Sequence, residues 1–131
     1  MRKIRKALTA VLLSLSIFCV PVLARDTNVN LVNFYIPAHQ QLAEYYLDAY
    51  CHGQYLFVNL MKTGNVIDKV NFWAVDSSET QLTTWGMATE GGGRATVTFT
   101  DKRDERTVHK VYFKSAIYNW GGYTINGTLT Y

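Results

Sequence analysis

Cysteine and charge are what this chain has least of. Its 131 residues include two cysteines, Cys19 and Cys51, and Lys, Arg, Asp and Glu together make up only 18%. Two cysteines cannot build the multiply stapled scaffold of a small disulfide-rich domain. A low charged fraction beside 48% hydrophobic residues excludes intrinsic disorder, collagen-like repeats and coiled coil. Long apolar runs are missing too: the longest, Ala7 to Val20, has 14 residues, against roughly 20 for a bilayer-spanning helix. Histidine occurs three times, at His39, His52 and His109, without HExxH or close His-x-His spacing, so no metal or cofactor is implied. No Gly-x-Ser-x-Gly elbow is present. Gly91-Gly92-Gly93 lacks the Lys and Ser/Thr of a phosphate loop and runs into a strand pattern, which makes it a flexible loop. No internal repeat or low-complexity linker divides the chain. One small globular domain remains.

What is present begins with a leader. Arg2, Lys3, Arg5 and Lys6 precede the apolar run, and Val22-Leu23-Ala24 places small residues where a signal peptidase cuts. The expectation is a signal peptide over residues 1–24 and a single β-rich domain over 25–131, secreted or periplasmic. Phe18 before Cys19 argues against lipid attachment there. The remaining 107 residues carry nine Lys and Arg against ten Asp and Glu, so the basic character of the whole belongs to the leader. A nucleic-acid partner is excluded on that balance, because neutralising phosphates takes clustered cations. The segment Asp101-Lys102-Arg103-Asp104-Glu105-Arg106 is dense in charge but mixed in sign, and reads as a solvated hairpin loop. Cys51 is then the lone cysteine of the mature domain. It is either a buried small hydrophobe or a free thiol open to an intermolecular disulfide that would link a dimer. His52 beside it would point to the opposite face of a strand, so the two do not form a nucleophile and base.

Period-two alternation dominates the rest. Ala95, Val97 and Phe99 alternate with Arg94, Thr96, Thr98 and Thr100; Tyr123, Ile125, Gly127, Leu129 and Tyr131 alternate with polar residues. Gln54 to Met61 and Val66 to Val75 flank Lys62-Thr63-Gly64-Asn65 and read as a hairpin. Strands are further expected over Thr80 to Ala88 and Thr107 to Ile117. The stretch 38–50 is ambiguous. As a helix it aligns Leu42, Tyr45, Tyr46, Ala49 and Tyr50; as a strand it aligns Ala43, Tyr45, Leu47, Ala49 and Cys51. Three tyrosines within six residues favour the strand. The expected fold is mainly β, a single antiparallel sandwich or barrel of about eight strands. The alternative is α+β, with one helix near 38–50 packed on an antiparallel meander.

Aromatic residues are the surplus: 17 of the 107, including Trp73, Trp85, Trp120 and all nine tyrosines. Tyr118 and Trp120 flank Asn119 ahead of Gly121-Gly122-Tyr123, placing large rings beside a flexible connection. Rings so placed either stack on sugars and settle at lipid headgroups, or fold inward and cap the domain. Trp85, Tyr118, Trp120 and Tyr123 are therefore the candidate ligand-binding residues. Ser77 and Ser78 after Asp76 read as turn hydroxyls. His109, placed on a strand face with Val111 and Phe113, reads as structural; a hydrolase would have to use it with an Asp or Glu. No catalytic constellation is assigned, and the chain reads as a binding protein more than as an enzyme.

Ile36-Pro37-Ala38-His39, Cys51, Phe72-Trp73, Ser78-Glu79-Thr80 and Trp85, in that order over about 50 residues, resemble the lipid-binding aegerolysin β-sandwiches. Aegerolysins usually lack a signal peptide and carry a Trp-Asp-Cys-Pro-Trp-Gly run where this chain has Trp73-Ala74-Val75-Asp76-Ser77-Ser78, so membership is not claimed. The resemblance implies a membrane-lipid binder. The functional expectation is an exported β-sandwich whose aromatic loops contact a glycan or a lipid headgroup. The alternative is a protein partner, bound by an inhibitor or immunity-type factor through a strand edge or aromatic patch.

Overall fold

The computed structural model describes residues 26–131; the expected leader, its expected cleavage point and Cys19 lie outside the described residues. Eight strands follow one another: β1 Asn28–Ile36, β2 Ala43–His52, β3 Tyr55–Thr63, β4 Lys69–Val75, β5 Gly86–Thr89, β6 Arg94–Thr98, β7 Glu105–Ser115 and β8 Tyr123–Thr130. They form two antiparallel four-stranded sheets, β1-β8-β3-β6 and β2-β7-β4-β5, packed face to face as a sandwich. The expected all-β architecture and strand number hold.

Residues 43–52 are strand, which removes the helical alternative. Ala43, Tyr45, Leu47 and Cys51 face or flank the core, while Tyr46 and Tyr50 stand outside. A helix would have put Leu42, Tyr45, Tyr46 and Tyr50 on one wide stripe, whereas the alternate small residues Ala43 and Cys51 fit the close space between sheets. The core joins Leu56, Val58 and Leu60 of β3 with Val70, Phe72 and Ala74 of β4, Val111 and Phe113 of β7, and Ile125 and Leu129 of β8. Phe72 and Phe113 stack at 6.1 Å, with Phe34 edge-on to Phe113 at 5.4 Å. Each fully buried side chain of this size contributes roughly 1.5–3 kcal/mol. Where β8 crosses β3, a Cβ on Gly127 would stand 2.2 Å from the Asn59 carbonyl oxygen, so only glycine lets the two backbones pair there.

Three local expectations are corrected. First, 54–61 and 66–75 do not form a hairpin: β3 pairs with β6 and β8, and β4 with β5 and β7. Of the expected turn Lys62-Thr63-Gly64-Asn65, the first two residues end β3, and the connection from Gly64 carries the chain from one sheet to the other. Second, 101–106 is exposed over most of its length, as expected, but is not a hairpin loop. It also crosses between sheets, and Arg106 is buried, its guanidinium 4.0 Å from the Phe99 ring centroid and bonded to Asp101 Oδ1 (2.9 Å), Gly53 O (2.5 Å) and Arg103 O. Alternation of charge in sequence hid one cation that ties three segments together. Third, His109 does not share a face with Val111 and Phe113. The β2–β7 register shifts between Tyr46 and Ala49, and His109 stands outside, against Tyr46 and Asp48. A bulge of this kind re-aims the side chains on either side of it.

The ends of the sandwich differ in chemistry. At one end lie the connections 37–42, 64–68, 90–93 and 116–122; at the other lie 53–54, 76–85 and 99–104. The second end holds Asp76, Glu79 and the 101–106 charges. Segments 33–43 and 115–123, which build much of the first, contain no Asp, Glu, Lys or Arg.

Candidate functional site

Asn119 organises the two uncharged loops of the first end, 37–42 and 116–122. It is 2% exposed, and its amide saturates the loops around it: Nδ2 donates to Pro37 O (2.8 Å) and Gly121 O (2.9 Å), and Oδ1 accepts from Gln40 N–H (2.9 Å). Its carbonyl accepts from His39 N–H at 2.6 Å, and Gln40 Nε2 donates to Ser115 O at 3.2 Å. These bonds hold His39 and Gln40 in the left-handed region, with φ of 60° and 53°, a conformation that costs a non-glycine residue energy and persists only when its surroundings fix it. One buried amide thus locks the β1–β2 and β7–β8 loops together.

The residues on either side of Asn119 are thereby pushed outward. Trp120 is 83% exposed and Tyr118 half-exposed. Their rings meet edge-to-face with centroids 5.1 Å apart, and His39 completes the group at 5.6 Å from Tyr118 and 6.2 Å from Trp120. His39 Nδ1 lies 2.6 Å from the Tyr118 hydroxyl. Tyr35 lies across Gly122, where a Cβ would come within 2.0 Å of its hydroxyl oxygen. Leu42, Val66 and Ile117 are exposed at the same end. The result is a ring cluster with aliphatic tips, held by backbone bonds and without a charged side chain in the two loops that build it.

Tyr118 and Trp120 were legible as a pair from their place around Asn119; His39 and Tyr35 were not, because their proximity depends on pairing between β1 and β8. Tyr123 lies elsewhere. It is 4% exposed, alternates inward with Ile125 and Leu129, and donates to Lys69 O at 3.4 Å. Burial pushes its phenol above the ordinary tyrosine range.

Trp85 also stands apart, on the outer face of the β2-β7-β4-β5 sheet. Its indole stacks on Trp73 with centroids 4.4 Å apart and planes 3° from parallel, and its Nε1 donates to Gln81 Oε1 at 3.2 Å. Trp73, Val75 and Tyr112 form a small apolar cluster separate from the core. Beside it Lys110 pairs with Glu79 (2.5 Å) and Glu44 (3.3 Å) and donates to the Tyr112 hydroxyl (3.3 Å). The Lys110 and Tyr112 bonds hold the Glu79 carboxyl below its ordinary range. Glu79 in turn raises Lys110 and Tyr112 above theirs.

Cys51 is fully buried in the core. Burial pushes its thiol up to about 12, against a smaller opposing pull from Arg106. A thiol so placed has no surface from which to meet a second chain. Among the described residues no group of three His, Cys, Asp or Glu is arranged to hold a metal ion. His109 hydrogen-bonds Asp48 through Nδ1 and lies against the Tyr46 ring, an arrangement that orients the imidazole. Compared with known proteins, the chain matches no family profile, no curated sequence and no solved structure.

Proposed function

We propose that this protein is an exported lipid-recognition module whose uncharged loops 37–42 and 116–122 settle into the headgroup layer of a membrane. The observation that carries this reading is the Asn119-tied pair of loops, which presents Tyr35, His39, Tyr118 and Trp120 together without a charged residue in segments 33–43 and 115–123. Tryptophan and tyrosine suit that layer because an apolar ring meets the acyl boundary while its polar edge stays among headgroups and water. A charged side chain at the same place would resist dehydration. Leu42, Val66 and Ile117 tip the balance from sugar to lipid. Aliphatic tips contribute by leaving water, and gain nothing against saccharide hydroxyls. Preorganisation by Asn119 reduces the ordering cost of binding.

Flotation with phosphatidylcholine vesicles, with and without phosphatidylglycerol, tests the proposal. The wild type is expected to float with both, little affected by salt, and Trp120→Ala to lose most of the bound fraction. A wild type that stays at the bottom with both vesicles, or a Trp120→Ala protein that floats as well as wild type, would refute it.

A further inference from the structure

The outer face of the β2-β7-β4-β5 sheet carries two chemistries side by side. Around Lys110 the charges are balanced by Glu44 and Glu79. One row away they are not. The β4–β7 register sets Asn71 opposite Lys114, and the β4–β5 register sets Asn71 opposite Met87. Lys69 lies two residues before Asn71 on the same face, a diagonal neighbour of Lys114. Among the described residues neither Lys69 nor Lys114 makes an ion pair. Lys114 Nζ lies 4.6 Å from the Trp85 ring centroid.

Trp85 beside these cations is a prepared platform. One ring face rests on Trp73 and the Nε1 edge is tied to Gln81, yet the residue remains 54% exposed. A flat, pinned indole that is half-exposed, with Lys114 Nζ over its ring, offers apolar surface at little entropic cost. A neighbouring ammonium and amide supply donors for an anion and for hydroxyls. A stacked saccharide ring bearing a carboxylate or sulfate satisfies all of these at once.

We propose that Trp85, Asn71, Lys114 and Lys69 form a binding site for an acidic saccharide unit, with the sugar ring on Trp85 and its anionic group at Lys114. The site is independent of the Asn119-tied loops. The anionic sugar can come from a soluble polysaccharide or from a glycolipid headgroup, and the same chemistry reads both.

Tryptophan fluorescence titrations with tetragalacturonate, with cellotetraose as a neutral counterpart of equal length and with sulfate alone, test the site. Vesicles containing glucuronosyl diacylglycerol form a second arm. Binding of tetragalacturonate, of the glycolipid vesicles, or of both, supports the proposal and identifies the source. Lys114→Gln is expected to weaken tetragalacturonate binding at least about tenfold, the size of one lost charge-assisted bond. Trp85→Ala, followed by calorimetry, should do the same while Trp120→Ala binds like wild type. For vesicles, the comparison is made in the Trp120→Ala background, which removes the other end's contribution. No binding in either arm, equal binding of cellotetraose, sulfate competing as well as the oligosaccharide, or unchanged affinity in a folded Lys114→Gln protein would each overturn it.

Discussion

At the scale of single residues, burial decides what Cys51 can do. A thiol pushed up to about 12 by burial is almost wholly protonated at neutral pH, and the thiolate is the reactive form. Native protein at pH 8 is therefore expected to resist a thiol-reactive dye for hours and to react fully within minutes once unfolded in guanidinium. Cys51→Ser should lower stability by about 1–3 kcal/mol, the cost of a buried hydroxyl without a partner, as read from urea unfolding. Fast labelling of the folded wild type would contradict the burial. The sequence supports the inward reading through the alternation of Ala43, Tyr45, Leu47, Ala49 and Cys51. Tyr123 belongs to the same lesson. Its alternation with Ile125 and Leu129 marked it as core, and only its closeness to Trp120 in the chain suggested the surface.

At the scale of elements, strand identity was legible except over Thr80 to Ala88, where only Gly86–Thr89 is strand, and strand pairing was not. Alternation reports which face a residue takes, so β6 and β8 could be read directly from Val97, Phe99, Ile125 and Leu129. Nothing in the turn at Gly64-Asn65 distinguishes a hairpin from a crossing between sheets. Arg106 and His109 were misread for the same reason, since the partner of one is a loop from another sheet and the setting of the other is a register shift. Lys110 and Tyr112 of β7, Glu44 of β2 and Glu79 of the 76–85 connection come from two strands and a loop, and their meeting has no local signal. This network makes a prediction about pH. Glu79 is held below its unfolded value, so its contribution to stability is present above the ordinary carboxylate range and is lost as pH falls through the folded value. Glu79→Gln should lower the melting midpoint at pH 7. The difference from wild type should shrink as pH falls below about 4, where unfolded Glu also protonates. A difference that persists unchanged at pH 3 would show that the charge of Glu79 is not what matters.

At the scale of the whole molecule, the topology has one within-sheet connection between consecutive strands, β4 to β5; every other connection passes from one sheet to the other. β1 pairs along its length with β8, Asn28 opposite Thr130, and Thr27 and Tyr131 exchange two backbone bonds. Contacts so distant in sequence slow folding, because loop closure must precede the reward of pairing. Refolding after dilution from denaturant is expected in the range of roughly milliseconds to seconds, as for other sheets built from distant pairs, and a chain ending before Tyr123 should not fold, since β1 and β3 both lose β8. Cooperative unfolding by that shortened chain would show that β8 is dispensable. The partnership of the first strand with the last also sets the time at which the fold can exist at all. Until Thr130 is available, the sheet that holds β1 has a gap at its second position, and the chain stays a thread. A native state that cannot close before its final strand is present forms only once the whole domain is available.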